Sequence, residues 1–193
     1  MRTIKKVASH IFIDGFGGMT QGLFATLIIG TMIQQIGLLI GGSTGNVIYL
    51  LGKAAAALTS AGIGVGVAVK YGESPLVTVS AAVAAMVGGY AGKITGGTFF
   101  VDGNAVLAGP GEPLGAFIAA FAGITCGHLV SGKTKVDIIV TPVITIGAGS
   151  VVGLLVGPPI SQMMTGLGSI INWATEQLSL IHISEPTRRS YIS

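Results

Sequence analysis

Long apolar runs studded with glycine alternate with short polar breaks along this chain, and their lengths predict helices that cross a bilayer. A helix needs about 20 mostly apolar residues to span the hydrocarbon core. Residues 16–40, 46–69, 75–92, 114–130 and 138–156 answer to that description. The turn at 41–45 is Gly-Gly-Ser-Thr-Gly, and the charged turn at 70–74 leads into Pro75, a residue suited to opening a helix. Gly157-Pro158-Pro159 predicts the end of the fifth helix, because consecutive prolines remove helix donors. Beyond it, Ile160, Met163, Met164, Leu167, Ile170 and Ile171 recur at helical spacing and Trp173 follows, which reads as an amphipathic helix lying in the interface. The expected fold is all-α: a polytopic transmembrane bundle of about five spans with amphipathic helices.

One polar interruption breaks the pattern. The stretch 93–114 holds Lys93, Asp102, Asn104 and Glu112, with Pro110 and Pro113 flanking Gly111-Glu112. A carboxylate beside lipid is costly unless paired, hydrated or kept for a ligand. Irregular backbone at that depth survives only when protein covers it or it lines a wet cavity. Residues 101–117 are apolar enough for a re-entrant hairpin, with an exposed loop as the alternative. Glu112, Pro110 and Gly111 are therefore candidates for a solute site. A carboxylate can accept several hydroxyl donors, and glycine lets a ligand approach the backbone. The competing role for Glu112 is capping the fourth helix. Asp102 and Asn104 are further candidates, although Asp-Gly-Asn is an ordinary turn signal. His128 is a candidate solute or proton contact, or a boundary histidine bonded to water or backbone.

Composition supports the membrane reading. Half of the 193 residues are hydrophobic and only 9% are charged, against about a quarter in soluble domains. The 32 glycines lack a collagen period and suit close helix contacts in lipid. The formal charge of +3 is scattered, which argues against a nucleic-acid partner. The one cysteine, Cys126, sits in an apolar run and excludes an internal disulfide. No phosphate loop, metal-spaced histidines or nucleophile triad is present, so neither a metal nor another cofactor is expected.

Basic residues favour the cytoplasmic side. With Arg2, Lys5 and Lys6 inside, five crossings also place Lys70, Lys133 and Lys135 inside. Asp14 and several glycines interrupt the first apolar run, which argues against a cleaved signal peptide. His10 and Asp14 share a helical face there, read as the wet side of an interfacial lead-in. Lys53 is expected to snorkel toward an interface, and Gln34 and Gln35 to bond neighbouring helices.

From Leu178 the character changes to LSLIHISEPTRRSYIS, whose first eleven residues resemble a translated sequencing-library adaptor. Residues 178–193 are accordingly expected to be a non-native tail on an amino-terminal fragment, 1–177. Without the tail, Lys plus Arg is eight and Asp plus Glu six, a formal +2.

The runs Gly-Pro-Gly-Glu-Pro-Leu-Gly from Gly109, Ser-Gly-Lys-Thr-Lys-Val-Asp-Ile-Ile-Val-Thr-Pro from Ser131 and Leu-Val-Gly-Pro-Pro-Ile-Ser from Leu155 carry a family likeness. They resemble the EIIC membrane subunit of bacterial phosphotransferase systems, in particular the perfringolysin-regulator-like EIIC proteins. The resemblance implies a non-catalytic inner-membrane sugar permease. Its partners would be a sugar substrate, the lipid bilayer and cytoplasmic phosphotransferase subunits, with a homodimer expected at full length. Gly109–Pro113 is also similar to the Gly-x-x-Glu-Pro motif of sugar EIIC proteins, which implies that Glu112 contacts sugar hydroxyls. The alternative is a membrane regulator or sensor with the same fold and no transport.

Overall fold

The computed structural model describes residues 10–106 and 109–183, with side chains over 13–106 and 109–177. Arg2, Lys5, Lys6, the side chain of His10 and residues 184–193 of the expected tail lie outside these.

The first crossing, α1 (Ile13–Ile40), is one continuous helix of 28 residues, about 42 Å long at 1.5 Å per residue. It emerges from a π-helical turn at His10–Gly15 and carries a second π-helical stretch, Phe24–Ile28, at mid-length. Gly41 and Gly42, both at positive φ, reverse the chain into α2 (Gly42–Ala57), which runs back along α1. At Leu58 the helix breaks, and α3 (Thr59–Lys70) continues at 53° to it. The second predicted span is therefore broken.

Ser74 caps α4 (Pro75–Gly89), its hydroxyl accepting from the Val77 amide at 3.4 Å. This helix stops at Gly89 rather than at residue 92, and its 15 residues leave it shorter than a full crossing. Tyr90 turns the chain into the short α5 (Ala91–Thr95). The long helices α6 (Pro113–Val130) and α7 (Asp137–Ile183) complete the bundle. Among the described residues three helices, α1, α6 and α7, are long and apolar enough to cross a membrane, or four if α2 and α3 count as one bent span. The expected all-α membrane bundle stands.

One local expectation is corrected. The double proline does not stop a helix: α7 runs through Pro142, Pro158 and Pro159, so residues 160–177 continue it rather than forming a separate interfacial helix. Each proline forfeits one hydrogen bond, but ending the helix in an apolar surround would strand more backbone groups than that. Gly157 also lets the chain press closely on Ala91 of α5 just before the pair. The polar interruption opens as a small hairpin in which β1 (Phe100–Val101) pairs antiparallel with β2 (Asn104–Ala105), all four residues exposed. Asp102 at φ 51 and Gly103 at φ 78 give the two positive φ angles that a tight two-residue turn requires.

Glycine sets the helix spacing. Gly18 meets Gly66 and Gly22 meets Gly62 where α1 crosses α3, while Gly30 meets Gly52 and Ala56 where α1 crosses α2. A Cβ built on Gly18 would stand 2.5 Å from the Gly66 carbonyl oxygen, and one on Gly30 2.8 Å from the Ala56 nitrogen. The buried cluster joins Ile63 and Val67 of α3, Val77, Ala81 and Ala85 of α4, and Ala116, Phe117, Ala120 and Ile124 of α6. On α7, Gly149 and Gly153 press against α4 and α6. Large apolar side chains such as Leu39, Val79 and Leu155 face outward, as they must where the solvent is lipid.

Gly66→Leu should cost about 1–3 kcal/mol through overpacking, a fall of roughly 3–10 °C in the melting temperature of the detergent-purified protein. Gly147→Leu, where an added side chain meets nothing within 4 Å, should leave that temperature unchanged.

Candidate functional site

Four helix irregularities fall at one level. The break at Leu58, the end of α4 at Gly89, the start of α6 at Pro113 and the double proline of α7 all lie near the mid-height of α1. The contacts fix this level. Thr26 of α1 lies against Gly62, Ser60 against both Gly89 and Gly111, Gly88 against Gly115, and Gly157 against Ala91. Helices interrupted midway across a bundle are a recurring way of building solute sites in membrane carriers, because the exposed backbone groups can serve a ligand.

A strap of irregular chain, residues 109–112, closes this level. The Ser60 hydroxyl donates to the Pro110 carbonyl at 2.9 Å, and the Glu112 amide donates to the Gly89 carbonyl at 2.6 Å. The Tyr90 hydroxyl lies 2.5 Å from the Gly109 carbonyl oxygen and 3.3 Å from that of Ala57, and shares its hydrogen between them. Gly111 at φ 74 has the Ser60 hydroxyl directly where a Cβ would go, so only glycine fits.

Glu112 occupies the N-cap position of α6, yet its side chain makes no capping bond. Its residue instead lines a cavity of about 200 Å³ with Gly89, Gly92, Lys93, Pro110, Gly111 and Ser161. Through Gly92 and Ser161 this adjoins a groove of about 480 Å³, lined further by Thr95, Gly96, Pro158, Gln162 and Thr165. The groove's size is in the range of small-molecule sites. The Lys93 ammonium stands 5.3 Å from the centre of the Tyr90 ring. Thr95 and Thr165 donate to helix carbonyls, both at 2.9 Å, which leaves their oxygen lone pairs to accept from a ligand. Gln162 adds an amide that both donates and accepts. The lining is thus one carboxylate among uncharged polar groups and an ammonium, suited to a neutral polyhydroxyl solute.

The structure brings Pro110, Gly111 and Glu112 together and places the other candidates elsewhere. Asp102 and Asn104 form the exposed hairpin turn, where the Asn104 amide donates to the Asp102 carbonyl at 3.3 Å. His128 is 16 residues along α6 from Glu112, about 24 Å away by helix rise. Its Nδ1 lies 2.9 Å from Glu73 Oε1, beside the 3.2 Å hydroxyl pair of Ser74 and Ser131. Cys126 is half-buried. Ser60, Tyr90, Ser161, Gln162 and Thr165 were not among the sequence candidates. The spacing of Ser161, Gln162 and Thr165 on one helical face was a signal, masked by ending the helix at the prolines. Among the described residues no group of His, Cys, Asp and Glu could hold a metal ion.

Residues 13–181 match the family described as Phosphotransferase system, EIIC. The chain belongs to the phosphotransferase EIIC family. Neither a curated protein nor a solved structure matches it. As an EIIC protein it is a membrane-embedded permease component of a phosphotransferase system.

Tyr90→Phe in this EIIC chain removes the hydroxyl shared by the Gly109 and Ala57 carbonyls. A hydrogen bond of about 0.5–1.5 kcal/mol net is lost, so hydrogen exchange at the Glu112 amide should quicken by roughly two- to tenfold. Exchange at amides in the middle of α3 should not change.

Proposed function

We propose that this EIIC protein receives a sugar in the groove beside Glu112 and presents it to a cytoplasmic phosphotransferase subunit. That subunit transfers a phosphoryl group to a sugar hydroxyl. The reading places the amino terminus and the turns bearing Lys70, Lys133 and Lys135 on the cytoplasmic side. The observation that carries the proposal is the Glu112 carboxylate: it sits at a helix start without capping it, in a mid-bundle cavity that it lines with Lys93 and Ser161. A sugar is neutral and rich in hydroxyls. An ionised carboxylate accepting from two of them fixes its orientation more strongly than neutral acceptors do. Ser161, Gln162, Thr165 and Thr95 supply further partners along the adjoining groove, and the catalytic phosphate chemistry stays on the partner subunit.

In the intact transport system, Glu112→Gln keeps the shape and removes the charge. Charge-assisted hydrogen bonds contribute about 1.5–3 kcal/mol, so phosphoenolpyruvate-dependent sugar uptake should fall tenfold or more. Uptake equal to wild type, with the variant present in the membrane at normal amounts, would remove Glu112 from the site. The acid form of Glu112 cannot offer a charged acceptor. Wild-type affinity should therefore weaken on acidification, and the Gln variant should lack this limb.

A further inference from the structure

A second cavity, of about 260 Å³, lies on the other side of the strap. Leu27, Thr31 and Gln34 of α1, Lys53, Ala56 and Ala57 of α2, and Gly109 and Pro110 line it. Only Pro110 is shared with the Glu112 cavity. Lys53 is the feature that calls for explanation. Between Asp14 and Lys70 no other Asp, Glu, Lys, Arg or His occurs, so neither α1 past Gly15 nor α2 carries a carboxylate to neutralise it. The described lining residues include no acid either. Lys53 is exposed on this apolar hairpin, and the described walls of the cavity offer its ammonium no counter-charge.

The remaining polar groups point to the kind of counter-charge. Gln34 makes only a long 3.4 Å bond to the Gly30 carbonyl, so its amide retains donor capacity. Thr31 donates to the Ile28 carbonyl at 2.8 Å and so offers oxygen lone pairs rather than a hydrogen. Gly52 beside Lys53 lets α2 approach α1 until it touches Gln34, and Lys53 and Gln34 line the same cavity from the two helices. An ammonium and an amide N–H lining one small cavity suit a multivalent oxyanion. We infer that the Lys53–Gln34 cavity binds a phosphate group, carried either by a soluble phosphate compound or by the headgroup of an anionic lipid. The site is separate from the Glu112 groove and does not depend on what that groove carries.

The test is amine acylation of Lys53, followed by peptide mass spectrometry, on the full chain in phosphatidylcholine nanodiscs. Lys70 and Lys133 serve as internal references. Inorganic phosphate, compared with sodium chloride of equal ionic strength, should slow labelling of Lys53 at least threefold and leave the references unchanged if the ligand is soluble. Nanodiscs containing phosphatidylglycerol should give that protection without added phosphate if the ligand is a lipid. Gln34→Leu should abolish the protection in whichever arm shows it, without altering the labelling rate in chloride. Equal Lys53 labelling in phosphate, in chloride and in phosphatidylglycerol nanodiscs would overturn the inference. Protection that survives Gln34→Leu would overturn it too, since it would reflect screening at a lone surface lysine.

Discussion

Backbone that leaves a helix inside an apolar layer must find new partners for its amides and carbonyls, and this bundle meets that demand at one place. Here α2 and α4 end and α3, α5 and α6 begin, at the level of Leu58, Tyr90 and Glu112, and the strap between Gly109 and Glu112 ties their loose ends together. Ser60, Tyr90 and the Glu112 amide all bond to backbone carbonyls there. The polar character of the site follows from this. A layer that must hold unpaired backbone groups is also the layer where hydroxyls, an amide and a carboxylate can be kept without facing lipid.

Glycine makes the arrangement compact. Where Gly18 meets Gly66 and Gly22 meets Gly62, the backbones of α1 and α3 touch, and dispersion contacts replace the hydrophobic drive that lipid removes. The same economy operates at the strap, since Gly111 rests on Ser60 with no room for a side chain. The groove opens where the face of α7 presents Ser161, Gln162 and Thr165 in place of glycine.

Much of the architecture was legible in the chain because apolar run length is a strong signal, and the all-α membrane bundle needed nothing more. The breaks were harder to read. Leu58 lies in an unremarkable apolar run, and what interrupts the helix there is tertiary: the Ala57 carbonyl is taken by Tyr90, 33 residues away. The double proline misled in the opposite direction, because local propensity favours a stop and the apolar surroundings do not. Glu112 stood out by its charge against lipid and by its proline frame. The uncharged groups that share its cavity did not stand out, since a serine or threonine in a membrane helix commonly bonds its own backbone, as Thr95 and Thr165 in fact do.

The unbroken course of α7 through Pro158 and Pro159 has a mechanical consequence. The two prolines leave a compliant joint, because the helix bonds that would stiffen it cannot form, and Pro158 belongs to the groove wall. From that joint to Gln177 the helix forms an arm of about 30 Å at 1.5 Å per residue. A bend of about 10° at its base would sweep Gln177 through about 5 Å, taking that length as rigid. A small change of angle in the groove wall is thereby a large displacement further along the helix.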